Sequence, residues 1–161
     1  MRIGILSDSH DHLGRIACAV ELFNEERVGL VLHAGDFVSP TTARELGRLK
    51  APFVGVFGNN DGDRLFLTQA FGAIGTLHAG PHELLIEGRQ AVLLHEPRCL
   101  DALIQSGAYD LVVYGHTHAI DVRAGKTLVV NPGECGGWLS GRATVALVET
   151  EDLSARLVDL P

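Results

Sequence analysis

The sequence predicts an α/β fold in which two β-sheets pack face to face and helices cover the outside. Three observations carry this expectation. Strand-like and helix-like segments alternate from Arg2 to Phe71, which is the rhythm of βαβ units. After Gly72 short strand-like runs dominate, interrupted by one helix. Clusters of Asp, Asn and His also fall at the ends of those strands, where open α/β sheets place their ligands.

Arg2 to Leu6 is a short apolar run that ends in the polar loop Ser7 to His12. Leu13, Ile16, Ala17, Val20 and Phe23 then recur at helical spacing, with Glu21, Glu25, Glu26 and Arg27 left for water. Gly29 breaks that helix, and Leu30 to His33 reads as a second buried strand. Ser39 before Pro40 fits an N-cap with proline at the first helical position, predicting a helix to about Lys50. Phe53 to Phe57 is a third strand, and a helix from about Asp63 to Phe71 follows the loop Gly58-Asn59-Asn60-Asp61. The later strands are Glu83 to Ile86, Ala91 to His95, Leu111 to Tyr114, Leu128 to Asn131, Ala143 to Val148 and Ala155 to Leu160. The interrupting helix spans about Leu100 to Ser106.

No repeat, linker or low-complexity segment breaks the chain, and 161 residues fit one domain, residues 1–161. The formal net charge of -7 leaves no basic stripe for nucleic acid and repels anionic lipid headgroups. Attraction for a phosphate must therefore be local, and divalent cations are the obvious source. Cys18, Cys99 and Cys135 are few, odd in number and far apart, as expected of reduced thiols in a cytoplasmic protein. Ile3 to Leu6 is too short for a signal peptide, and no stretch has the apolar length to cross a membrane.

The strand ends carry Asp8-Ser9-His10, Gly35-Asp36, Gly58-Asn59-Asn60-Asp61, His95 and Gly115-His116-Thr117-His118. Residues two apart on an extended chain point to one side, so Asp8 with His10, and His116 with His118, are expected to converge. Carboxylate, amide oxygen and imidazole suit Mn²⁺, Fe²⁺, Co²⁺, Ni²⁺ or Zn²⁺ rather than Ca²⁺ or a thiolate-bound metal. Seven such groups are too many for one ion and about right for two that share a bridging carboxylate.

The order Asp-x-His, Gly-Asp, Gly-Asn-x-Asp, His, Gly-His-x-His resembles that of the calcineurin-like metallophosphoesterase superfamily. The chain from Arg2 to about Leu160 looks like its small single-domain phosphodiesterase branch, and Val130-Asn131-Pro132-Gly133 resembles a turn found there. The resemblance implies a four-layer αββα sandwich of two mixed sheets. It also implies two divalent ions, manganese foremost, with nickel, cobalt, iron or zinc as alternatives. Asp8, His10 and His118 would hold the first ion and Asn59, His95 and His116 the second, with Asp36 bridging. Catalytic roles then fall to Asp36, Asn59, Asn60 and His95. The reaction implied is two-metal hydrolysis of a small phosphodiester, aryl or cyclic-nucleotide-like, by a metal-bound hydroxide. Relatives that are dimers or tetramers make a homo-oligomer compatible with the resemblance.

The pattern departs from the family in three places. Asn60 stands where larger relatives carry a His thought to protonate the leaving group, and an amide cannot donate a proton at neutral pH. His95 lies in Leu94-His95-Glu96 rather than after glycine, and Glu134 follows Asn-Pro-Gly where a small hydroxyl residue is common. Glu96 and Glu134 are expected to be surface carboxylates, and Asp61 and Asp63 capping or turn residues. Of the 8 histidines, His33 reads either as orienting Asp36 or as a packed, satisfied ring. His12, opening a helix near the metal loop, reads as loop polarity with a substrate contact as the alternative, and His78 and His82 as exposed turn residues. Trp138, among Gly136, Gly137 and Gly141, is expected in core packing or a subunit contact, with a substrate wall as the alternative.

Two other functions compete. One is a non-catalytic interaction scaffold, as in a retromer-coat subunit of the same branch, which has lost ligand histidines that this chain keeps. The other is a phosphomonoesterase, for which Arg64 and Arg98 would supply added positive charge.

Overall fold

The computed structural model describes residues 1–161 and resolves the expected strands into two mixed sheets. Strands β1 (Arg2–Leu6), β2 (Leu30–His33), β3 (Phe53–Val56) and β4 (Gly75–His78) pair in parallel. On the other side of β1 come β10 (Thr144–Glu149) and then β11 (Ser154–Asp159), both antiparallel, giving the order β11-β10-β1-β2-β3-β4. The second sheet consists of β5 (His82–Ile86), β6 (Arg89–Leu93), β7 (Leu111–Val113), β8 (Ile120–Arg123) and β9 (Leu128–Pro132). Its order is β5-β6-β7-β9-β8, with parallel pairing only between β6, β7 and β9.

Side chains alternate across each strand, so every central strand feeds two cores. Ile3, Ile5, Leu32, Val56, Ala146 and Val148 of the first sheet meet Ala91, Leu93, Leu111, Val113, Leu128 and Val130 of the second. On the opposite face of the first sheet, Leu6, Val31, Phe53, Val145 and Leu147 pack against three helices. These are α1 (Leu13–Glu25), through Ile16, Val20 and Phe23, α2 (Thr42–Leu46), through Leu46, and α3 (Arg64–Phe71), through Leu67 and Phe71. The outer face of the second sheet sets Val92, Leu94, Val112, Tyr114 and Val129 against α4 (Leu100–Ser106). The layers run helix, sheet, sheet, helix, as expected. Each fully buried Leu, Ile or Phe contributes about 1.5–3 kcal/mol of transfer free energy, so the middle layer is what locks the sheets together.

Several local expectations are corrected. The helix expected from Ser39 to Lys50 is confined to Thr42–Leu46 and has Thr41 as its N-cap. Ser39 instead gives its hydroxyl to Asp11 (2.8 Å), and Ser39 and Pro40 accept turn bonds from Thr42 and Ala43. Strands β4 and β8 were not expected. β8 pairs on one side only and carries Asp121 and Arg123 on an exposed edge, so no apolar run marked it. His78 and His82 lie on β4 and β5 rather than in an exposed turn, their rings stacked with centroids 3.6 Å apart.

Candidate metal centre

The parallel strands β1, β2, β3, β6 and β7 all deliver their carboxyl ends to one edge of the sandwich. The loops that follow carry all seven expected ligands. Backbone bonds stitch these loops together: Asp8 N–H to Gly35 O (3.0 Å), His10 N–H to Asp36 O (3.1 Å), and Gly115 N–H to His95 O (3.1 Å). The packing there is too tight for a β-carbon. One built at Gly58 would stand 2.1 Å from Asp36 Oδ1, and one at Gly115 would stand 1.9 Å from Ser7 Oγ.

Asp8, His10, Asp36, Asn59, His95, His116 and His118 are brought together, in two adjoining groups. His118 Nε2 lies 3.4 Å from Asp8 Oδ1, and His10 Nε2 lies 3.9 Å from that oxygen and 3.6 Å from Asp36 Oδ2. On the other side His95 Nε2 stands 3.5 Å from Asp36 Oδ2, while Asn59 Oδ1 is 2.8 Å from both His95 Nε2 and His116 Nδ1. Asp36 lies between the groups.

The convergence has a different cause from the one expected. Asp8, His10, His116 and His118 are not extended; their φ angles are 51°, 42°, 68° and 58°, and Asp36 has 61°. A left-handed backbone at non-glycine residues costs about 1 kcal/mol or more each and persists only where surrounding contacts enforce it. In these turns the left-handed backbone, rather than a shared strand face, turns the side chains inward.

Those contacts come from residues outside the ligand set. Asp61, expected to be a turn residue, is 3% exposed, and its carboxylate accepts N–H bonds from Asp36 (3.1 Å), Val38 (2.8 Å) and Gly58 (2.7 Å). It therefore latches the β2 loop to the β3 loop. Asn60 donates its backbone N–H to Asp36 Oδ1 (2.9 Å) and its amide to Asp36 Oδ2 (2.8 Å). His33 is both a packed ring and an orienting one. Fully buried and stacked on Phe37, it accepts from Gly35 N–H (3.1 Å) and meets Ser9 Oγ at 3.1 Å, without touching the Asp36 carboxylate. Burial pushes its pKa down to about 3, so it stays neutral.

Glu134 corrects the expectation of a surface carboxylate. It is fully buried and accepts His118 Nδ1–H at 2.9 Å. Burial opposes its charge, yet hydrogen bonds from Ser140, Leu139 and His118 hold its pKa down at about 2. Sequence gave one signal for it, an acidic residue in place of a small hydroxyl after Asn-Pro-Gly. Glu96 is half-buried, pairs with exposed Arg98 (2.5 Å) and lines a groove shared with Asn59 and His95.

The electrostatics fit a cation. Asp8 Oδ1 and His10 Nε2 are buried without a hydrogen-bond partner, a costly state for two lone-pair-bearing atoms facing one space. Burial pushes the Asp8 carboxyl up despite the Ser7 hydroxyl bond (2.6 Å), so negative charge there lacks compensation. Asp36 is held well below the usual carboxylate range, since bonds from His95 and Asn60 outweigh its desolvation. His95 Nδ1 lies 2.7 Å from the Ala34 carbonyl and His118 Nδ1 faces Glu134, which leaves each Nε2 free to turn its lone pair inward.

Two grooves reach the site. A cleft of about 490 Å³ is bounded by His10, Val38, Asn60, His118, Trp138 and Leu139. A second, of about 320 Å³, shares Asn59 and His95 and extends past Phe57, Arg64, Pro81 and Arg98. Trp138 is 62% exposed, so it is not a core residue. No helix is long and apolar enough to cross a membrane.

Comparison with known proteins agrees with this geometry. Residues 1–153 match the calcineurin-like phosphoesterase superfamily domain. The chain is 39% identical over 165 residues to a phosphodiesterase of Methanocaldococcus jannaschii, covering 99% of each. It is 36% identical over 145 residues to a probable metallophosphoesterase of Methanothermobacter thermautotrophicus, covering 83% of this chain and 76% of that one. The solved structure of an archaeal phosphodiesterase superposes with a TM-score of 0.94 at 38% identity, covering 99% of this chain and all of the other.

Proposed function

The chain belongs to the calcineurin-like phosphoesterase superfamily, and from that premise we propose that it is a divalent-metal-dependent phosphodiesterase acting on small phosphodiesters. The observation that carries the reading is the pair of buried, unpartnered atoms, Asp8 Oδ1 and His10 Nε2, inside a complete set of seven ligand side chains. Asp8, His10 and His118 would hold one ion and Asn59, His95 and His116 another, with Asp36 between them. When bound, two such ions polarise phosphoryl oxygens and make water a competent nucleophile at neutral pH, manganese being the first candidate.

The protein's own part is positioning. Glu134 and the Ala34 carbonyl fix the tautomers of His118 and His95. Asn60 holds both oxygens of Asp36 in place, and Asp61 holds the loop that bears it. An asparagine amide has no titratable proton, so position 60 gives the departing alkoxide no acid assistance, which is typically worth about 10²–10⁴ in rate. Esters with good leaving groups, aryl or cyclic, are therefore the favoured class. The full ligand set supports catalysis over an interaction scaffold.

The test is hydrolysis of bis-p-nitrophenyl phosphate by protein stripped with chelator and reloaded with Mn²⁺, Ni²⁺, Co²⁺ or Zn²⁺. Turnover that requires metal and disappears in Asp36→Ala supports the reading. Absence of turnover with every ion rejects it.

A further inference from the structure

Glu134 contacts more than His118. The same buried carboxylate accepts backbone N–H bonds from Leu139 (3.0 Å) and Ser140, so it ties the His118 ring to the turn of residues 136–141. The start of that turn is fixed to the site a second way, by Gly136 N–H donating to Asp8 O (3.1 Å). At its crest Trp138 donates Nε1–H to His10 O (3.2 Å), and its ring sits 4.6 Å from the His12 ring. The indole is thereby held in orientation, its one donor committed to backbone. Trp138 and Leu139 are nevertheless 62% and 79% exposed, and they wall the cleft whose other side is His10, Asn60 and His118.

An oriented aromatic face and an exposed leucine set directly against a polar ligand cluster suit a substrate that is charged at one end and flat and apolar at the other. We propose that the turn bearing Trp138 and Leu139 is the binding wall for the planar group of an aromatic phosphodiester, a nucleobase or aryl ring, and that Glu134 is the positioning residue that sets this wall relative to His118. The proposal rests on the phosphodiesterase reading and narrows it. Its contribution to binding is stacking on a π-face, which tolerates many ring types.

Trp138 is the only tryptophan in the chain, so its emission reports this wall without background and without turnover. Adenosine 5′-monophosphate should quench it saturably, and ribose 5-phosphate, which lacks the base, should bind at least tenfold more weakly. Equal responses, or none to either, overturn the wall. Trp138→Ala should raise KM for bis-p-nitrophenyl phosphate about fivefold and leave kcat within twofold; an unchanged KM overturns it equally. Glu134→Gln keeps the volume and the fold, checked by circular dichroism. It should lower kcat and also weaken adenosine 5′-monophosphate binding by threefold or more. A fall in kcat with unaltered nucleotide affinity overturns the coupling. If no diester is hydrolysed by any form, the emission titration still judges the wall, so the two failures are told apart.

Discussion

Replacing Asp61 with alanine should cost far more stability than a turn residue's share. Its carboxylate serves three backbone N–H groups, those of Asp36, Val38 and Gly58, and the side chain is 3% exposed. A buried donor left without an acceptor costs about 1–3 kcal/mol. Val38 N–H lies in a half-buried position where water can reach it, so the three together should cost about 3–5 kcal/mol. That is a large share of the roughly 5–15 kcal/mol by which a domain is stable. Asp61→Asn keeps one oxygen and sets an amide against an N–H on the other side. It should fall between, at about 1.5–2 kcal/mol with the oxygen left on the doubly used side. Urea unfolding of metal-free protein, followed by far-ultraviolet circular dichroism, measures both without linkage to metal. A loss under about 1 kcal/mol for Asp61→Ala, at unchanged m-value, would refute the latch.

Further outcomes follow from the same geometry. Saturating Mn²⁺ at one hundred times its dissociation constant should stabilise the protein by about 2.7 kcal/mol, read as a thermal shift that Asp36→Ala loses; no shift in the wild type would count against a metal site. His33 binds its proton only when unfolded until pH falls to about 3, so acid favours unfolding and stability drops as pH descends from 6.5. The stability gap between wild type and His33→Asn should therefore shrink by about 1.2 kcal/mol from pH 6 to pH 5. A constant gap would show that the ring takes up its proton equally in the folded and unfolded protein, refuting the buried neutral ring. Asn60→His should raise the rate on alkyl esters relative to aryl esters tenfold or more, and an unchanged ratio would remove the leaving-group argument. Burial pushes the Cys135 thiol up to about 12, so Ellman's reagent at pH 8 should leave it unmodified until urea is added, unlike half-buried Cys18 and Cys99.

The layers and the clustering of the candidate ligand side chains were legible for physical reasons. β1, β2 and β7 are short apolar runs buried on both faces, and the ligand chemistry sits at their ends in a fixed order. β4 and β8 were not, because Gly75–His78 and Ile120–Arg123 carry few apolar residues and gain their pairing from neighbours distant in sequence. The left-handed turns at Asp8, His10, Asp36, His116 and His118 leave only a weak mark in residue type. Asp and His enter that region more often than most residues but adopt many other conformations. Asp61 and Glu134 look like ordinary polar loop residues until folding buries them. Each serves groups on other loops, and the partner of Glu134 is 16 residues upstream.

The pairing of β1 with β10 has a consequence for how the protein is made. β1 lies between β2 and β10, and Arg2 sits opposite Glu149. A chain emerging from the ribosome can assemble the parallel strands β1 to β4 early, but one edge of β1 stays open until residue 149 is free. The peptide groups of Ser7 and Asp8 also wait, since they accept from Cys135 and Gly136. Half-made chains therefore expose a bare apolar strand edge, the state most prone to pair with another chain and aggregate.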